Sequence, residues 1–353
     1  MNVEQNGLVR CEEGVWDSAL ERLASTGPEW GGRLVNHGPM ATEALVRLGK
    51  SDAVARWLDR YLPLLREAPR PRFRIDPDDW RDGLGDLSRV ADWIDYFRAE
   101  LAEAPWREVV QTWWPRLLPG VSAAGTHGVI RTAHTVRALE DAENQLRLDE
   151  LARALGYWSA AYQTVPTSAV PAGQLTLSNA LSQMPRLSSG VPGLINDHLR
   201  VLDQLDGFDE GLRSLAPPED PIAALDDFII EFARVFVRYG RRQPFAFVHT
   251  VTGPVAVRSM LPDLPVELHR PTYDVVWQTC AGIFAAYARG SAAAEPPADA
   301  VPMTEAELIE RAVASRDEHA IKMTEACLRQ YRITPDPILL HAAALSIELL
   351  WRG

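Results

Sequence analysis

Apolar residues recur along most of this chain at three- and four-residue steps. In SDAVARWLDRYLPLLREA, Val54, Trp57, Leu58, Tyr61, Leu64 and Leu65 form one stripe, and their spacing predicts an amphipathic helix. The same period runs through LSRVADWIDYFRAEL, PIAALDDFIIEFARVFVRY, YDVVWQTCAGIFAAYARG and much of the C-terminal third. Start signals agree with it: Thr304 and Glu307 in TEAELIERA form a capping box, and Thr334 with Pro335 reads as an N-cap and first helical residue. No segment alternates convincingly as a strand should, although PFAFVHTVTG reads as well as a short strand as it does a helix start. The predicted fold class is all-α.

Proline and glycine fall mostly between these periods. RPRFRIDPDDW at 70–80, TVPTSAVPAGQLTLSN at 164–179 and GSAAAEPPADAVP at 290–302 are the evident connections. The last has the composition of a flexible surface loop. Histidine-bearing segments lie on both sides of it, so residues 1–353 are expected to form a single multi-helix globular domain. No repeat of fixed period appears, which speaks against a solenoid.

Composition narrows the function classes. With 46% hydrophobic and 24% charged residues, the 353-residue chain reads as an ordinary globular protein. A net charge of -12 with no clustered basic face argues against a nucleic-acid partner. Cys11, Cys280 and Cys327 are odd in number and widely spaced, which fits neither a disulfide framework nor a thiolate zinc site and suggests a reducing cytoplasm. The N-terminal MNVEQNGLVRCEEG lacks an apolar signal core, and ILLHAAALSIELLW falls short of the about 20 residues a membrane span needs. Neither export nor a membrane partner is expected, and the expected location is cytoplasmic.

Five of the eight histidines stand in apolar, helix-forming segments: His37 in NHGPM, His127 and His134 in HGVIRTAH, His249 in FVHTVTG and His319 in HAIK. Burying an imidazole is costly without a partner, and five such placements point to a shared destination, a metal. His37 belongs at a helix entrance, where Asn36 can cap and Gly38 permits close approach. His127 and His134 are two helical turns apart, about 10 Å between Cα atoms, too far to chelate one ion without ligands between them. One of the pair is expected to bind and the other to support it. His319 and Lys322 are three apart and project together. An ammonium has no lone pair, so Lys322 serves a metal only when deprotonated, when carbamylated into a carboxylate-like ligand, or as a supporting donor. His198 and His269 look solvated, and His341, flanked by apolar residues, is held in reserve. For any one of these histidines, a core position hydrogen-bonded to backbone is the competing reading.

The segments NHGPMATEALVRLG, HGVIRTAHTVRAL, FAFVHTVTGPVAVRSMLP and DEHAIKMTEACLRQY, in that order, closely resemble the questin oxidase-like family. The resemblance runs from about residue 15 to the C-terminus, and four ordered motifs carry it. It implies an oxygen-using oxidoreductase without flavin that oxidises or opens rings of anthraquinone-type polyketides, Baeyer-Villiger-like or ring-cleaving in outcome. No GxGxxG follows a strand, in agreement with the lack of a dinucleotide unit. By this resemblance His37, His127, His249 and His319 fall on the family's histidine positions and Lys322 on its HxxK lysine. His134 stands where fungal members carry an aromatic, and Arg131 where they carry a histidine, departures that bear on the substrate more than on the metal. Lys322 and His134 are the candidates for a catalytic part beyond ligation.

Imidazole ligands without thiolates, together with the oxygenase resemblance, favour non-haem Fe(II) with O2 as co-substrate, and NADPH as an external reductant is compatible with that chemistry. The expected partner is a small aromatic molecule, and eleven tryptophans offer material for stacking, although most are expected in the core. Two rivals come from other classes. DDFIIE, Asp226 to Glu231, is similar to the aspartate-rich magnesium motif of terpene cyclases, although NDHLRVLD carries Arg200 where that family's second motif wants Ser or Thr. Asp226 and Asp227 otherwise fit the first turn of a helix. The other rival is a helical scaffold with structural histidines.

Overall fold

The computed structural model describes residues 14–31, 34–297, 300 and 302–351. In chain order its helices are α1 (residues 14–23), α2 (Gly38–Arg47), α3 (Ser51–Tyr61), α4 (Val90–Glu103), α5 (Trp106–Leu117), α6 (His127–Asp141), α7 (Gln145–Ala160) and α8 (Leu177–Gln183). There follow α9 (Ile195–Leu199), α10 (Phe208–Ser214), α11 (Pro221–Tyr239), α12 (Pro244–Met260), α13 (His269–Tyr287), α14 (Glu305–Ser315), α15 (Glu318–Ile333) and α16 (Pro337–Leu350). The fold is all-α. Among the described residues the one sheet is a ribbon of β1 (Glu29–Trp30) and β2 (Leu34–Val35), antiparallel with Glu29 opposite Val35. No described helix is long and apolar enough to cross a membrane.

Side-chain caps set several helix starts. Asp220 accepts the backbone N–H groups of Ile222 and Ala223 ahead of α11, and Thr304 and Glu307 close the capping box expected for α14. The start of the last helix differs from the sequence reading by two residues. Thr334 ends α15, while Asp336 caps α16 by accepting the Ile338 N–H and Pro337 opens it. In TPDP both Thr-Pro and Asp-Pro fit the cap rule, and the carboxylate takes the position. PFAFVHTVTG resolves as helix. The run does not stop at Gly253 and Pro254 but continues as α12 to Met260.

α12 is buried nearly all round, and that is why its sequence shows no amphipathic stripe. It belongs to a closed ring of four helices: α2 packs on α6, α6 on α12, α12 on α15, and α15 on α2. α7 covers α6 and is backed by α4, while α11 and α16 cover α12 and α15. Trp93, Phe97 and Trp113 meet edge-on or stacked between α4 and α5, and Trp114 meets Trp158. Full burial of such a ring stabilises by about 1.5–3 kcal/mol, so these tryptophans belong to the core. Cys280 and Cys327 are buried free thiols, and Cys11 lies outside the described residues. Of the 290–302 connection, residues 290–297, 300 and 302 are described, without helix or strand.

Candidate metal centre

Each helix of the ring contributes one histidine near its N-terminal end. His37 immediately precedes α2: Asn36 Oδ1 accepts the Gly38 N–H at 2.9 Å, and the His37 N–H donates to Tyr61 Oη at 2.7 Å. A Cβ on Gly38 would fall 2.6 Å from Leu23 Cδ2, so glycine is what lets this turn approach α1. His319 is held by Asp317, whose Oδ1 accepts the N–H groups of His319 and Ala320 at the head of α15.

The entrance to α6 is strained. Ala124, Gly125 and Thr126 have φ of 49°, 66° and 72°, a left-handed run in which alanine and threonine each cost about 1–3 kcal/mol. Asn196 Oδ1 holds the run by accepting the Gly125 N–H at 2.8 Å. Its product is the orientation of His127, whose Nδ1 faces the Ala124 carbonyl oxygen at 2.6 Å. In α12, His249 Nδ1 faces the Phe245 carbonyl in the same way at 2.5 Å. Both carbonyls require Nδ1 to carry the hydrogen, which leaves each neutral ring with its lone pair on Nε2.

Those two Nε2 atoms lie 3.2 Å apart. The ring of His37 is centred 4.6 Å from that of His127 and 4.5 Å from that of His319, and His249 lies 5.7 Å from His319. One ligand atom from each of His37, His127 and His319 falls within 4.8 Å of the others. Carboxylate oxygens of Asp317 and Glu318 come equally close to a nitrogen of His319. Nδ1 of His37 and Nδ1 of His319 are buried without a hydrogen-bond partner among the described residues. Metal–nitrogen bonds of about 2.0–2.1 Å put opposed nitrogens about 4 Å apart, which the His37, His127 and His319 donors approach, while His249 falls outside that group of three and meets it through its 3.2 Å approach to His127.

Burial, then Lys322 and the neighbouring rings, hold His37 well below the ordinary imidazole range. Burial, then His249 and Lys322, do the same to His127, and burial, then His319 and Lys322, to His249. These rings therefore stay neutral and keep lone pairs at neutral pH. Lys322, itself buried, is pushed down to about 8 by burial against the opposing pull of Glu318 and Asp317.

All four histidines line one cavity of about 570 Å³. Its aromatic wall is Trp30, Tyr162, Phe245 and Tyr287, so only one tryptophan faces it. Leu34, Leu87, Leu194 and Phe245 on this wall are also partly exposed to solvent, Phe245 by 51%, and they give the mouth an apolar rim.

The other candidates lie elsewhere, with one exception. His134 does not join the cluster. Its Nδ1 bonds Glu43 Oε2 at 2.6 Å, and Arg137 joins that carboxylate to Glu325. His341 lines a separate cavity of about 630 Å³ beside α16, and His269 Nε2 faces the Leu264 carbonyl. Asp226 lies within α11, not in its first turn, and is engaged by Arg258 at 2.8 and 3.1 Å and by Gln330 at 2.8 Å. The exception is His198. Read as solvated, it is 6% exposed and lines the histidine cavity against Tyr287. Asn196, Asp197 and Arg200 beside it in sequence are polar, and packing against α13, which is distant in sequence, is what buries it. In comparison with known proteins, no family model matches the chain and no curated protein is significantly similar to it.

Proposed function

We propose that this protein is a metal-dependent oxygenase, with non-haem Fe(II) held by His37, His127, His249 and His319, that oxidises a polycyclic aromatic substrate with O2. The observation that carries the reading is the facing pair of His127 and His249. With both Nδ1 hydrogens committed to backbone carbonyls, two Nε2 lone pairs oppose each other at 3.2 Å with no hydrogen between them. That arrangement is repulsive for the bare protein and attractive around a cation. Four imidazoles without thiolate suit iron, and the ordered motifs similar to those of the questin oxidase-like family favour oxygen chemistry. Iron would supply the binding and reduction of dioxygen, which no side chain here can perform.

The chain's own residues do the rest. The Ala124 and Phe245 carbonyls fix the tautomers and ring planes of two ligands, and Asp317 fixes the backbone of a third. Lys322 lies within electrostatic reach of three of the rings. As a carbamate it would supply an anionic oxygen ligand, and as an amine a proton donor beside the cavity. The wall of Trp30, Tyr162 and Phe245 would stack on a flat substrate and exclude water. The cavity volume lies within the about 300–1,000 Å³ usual for sites of small ligands.

The test is turnover of a hydroxylated anthraquinone by iron-loaded protein, followed with an oxygen electrode and by mass of the product. Oxygen uptake coupled to substrate loss, abolished by anaerobiosis with substrate binding retained, is the expected result. Undiminished product under strict anaerobiosis, or a flavin spectrum in the active protein, contradicts it.

A further inference from the structure

The cavity has a second polar wall, built from other elements. His198 comes from α9, Tyr287 is the last residue of α13, and Arg289 follows it by two positions. None belongs to the ring that carries the histidine cluster.

Hydrogen bookkeeping at this wall leaves a donor unused. His198 Nδ1 lies 2.8 Å from Tyr287 Oη and 3.1 Å from the Leu194 carbonyl. If Nδ1 carries the hydrogen, it is spent on those two oxygens and the Tyr287 O–H has no acceptor among the described residues. If Tyr287 donates to Nδ1, the imidazole hydrogen sits on Nε2, which likewise has none. Either tautomer therefore presents one unmatched donor. Burial pushes the Tyr287 hydroxyl up to about 12 against the pull of Arg289, so it remains a donor at neutral pH.

Arg289 adds a positive charge. Its Nε and Nη2 both donate to the Ala286 carbonyl, at 3.1 and 2.7 Å, and no carboxylate pairs with it among the described residues. Asp197, next to His198 in sequence but not part of the cavity lining, accepts the Leu194 N–H at 2.9 Å and Arg200 at 3.1 Å, and the carboxylates that do line the cavity are Glu29 and Glu318, neither of which pairs with Arg289. The wall thus offers a guanidinium and a neutral donor without an acceptor, facing the same space as the stacking aromatics. Resting on the oxygenase reading for the role of that space, we propose that Arg289, Tyr287 and His198 form an oxyanion subsite. It selects aromatic substrates that carry an ionised oxygen, a phenolate or a carboxylate, and fixes which end of the molecule faces the histidines.

Calorimetric titration of the full chain tests this with three probes: anthraquinone-2-carboxylate, 2,4-dinitro-1-naphtholate and the neutral anthraquinone-2-carboxamide. At least one anion is expected to bind about 10-fold or more tightly than the carboxamide, the worth of a charge-assisted hydrogen bond. A preference confined to the carboxylate or to the naphtholate identifies the acid. In Arg289→Gln the preference should shrink to about 2-fold or less, and Tyr287→Phe should weaken the anion more than the amide. Equal binding of all three probes, binding of none, or a preference unchanged in both variants overturns the proposal. Metal content of the same samples separates the two readings. An anion preference in protein that holds no metal leaves the subsite standing and removes the oxygenase, whereas iron-loaded protein without a preference does the reverse.

Discussion

A Cβ on Gly128 would lie 2.7 Å from Trp158 Cγ, and Trp158 is fully buried with its Nε1 donating to the Gly120 carbonyl. The indole has nowhere to move, so Gly128→Ala must displace the start of α6 and with it His127. We expect a loss of about 1–3 kcal/mol of stability in urea unfolding, the usual cost of overpacking. Bound metal should fall at the same time. Lys322 gives a second prediction at this scale. If it acts as a carbamate, Lys322→Glu keeps an anionic oxygen near the ion and Lys322→Met does not, so the Glu variant should retain several times more metal by elemental analysis. Equal metal and equal activity in the two variants would make the lysine a packing residue.

Two turns below the cluster, α2, α6 and α15 are tied together a second time. Glu43 of α2 accepts from His134 and Arg137 of α6, and Arg137 reaches Glu325 of α15, all of them buried. Arg47 from α2 and Arg329 from α15 also engage the two carboxylates, and Arg47 pairs with Asp141 at the rim. Burial pushes the Glu43 carboxyl up, but Arg137, His134 and Arg47 together hold it well below the usual carboxylate range. Burial, Arg137 and Arg329 act on Glu325 in the same opposed way, again with a net lowering. Both carboxylates are lowered in the fold, so the stability they contribute is present above the unfolded-state value of about 4.3 and drains away as pH falls below it. His134 is also lowered, by burial against the pull of Glu43, and its contribution begins to drain below about 6.5. Breaking such a buried pair from one side costs about 3–5 kcal/mol, and that is the destabilisation expected for Glu43→Ala at pH 7. The gap between this variant and the parent should persist from pH 7 to about 5 and narrow in urea melts as pH is lowered from about 4 toward 2, and a gap independent of pH over that lower range would refute the network's role. His134, expected in catalysis, sits in this network and does not line the histidine cavity.

Over the whole molecule, the parts that sequence makes legible are those encoded locally. The three- and four-residue stripes and the Thr304–Glu307 capping box mark helices, and the structure has them. The four histidines that the structure brings together were legible as polar positions in apolar, helix-forming segments, and Lys322 by its three-residue step from His319. What sequence hid depends on distant partners. His198 is buried by α13, Asp226 is engaged by residues of α12 and α15, and α12 shows no stripe because neighbours cover it all round. The left-handed run before His127 gave one weak signal, the small residues of SAAGTHG, but two of its three positive-φ residues are not glycine. Only packing over-determines such a conformation.

On the proposed reading, the four-helix ring converges His37, His127, His249 and His319 on a single ion. Elemental analysis of tag-free protein, parent beside His127→Ala and His319→Ala, tests it most directly. Close to one equivalent of iron in the parent is expected, with at least about a 10-fold loss of metal affinity in each variant. A parent that takes up no metal when loaded anaerobically with Fe(II), or two variants that keep their full complement, would contradict it.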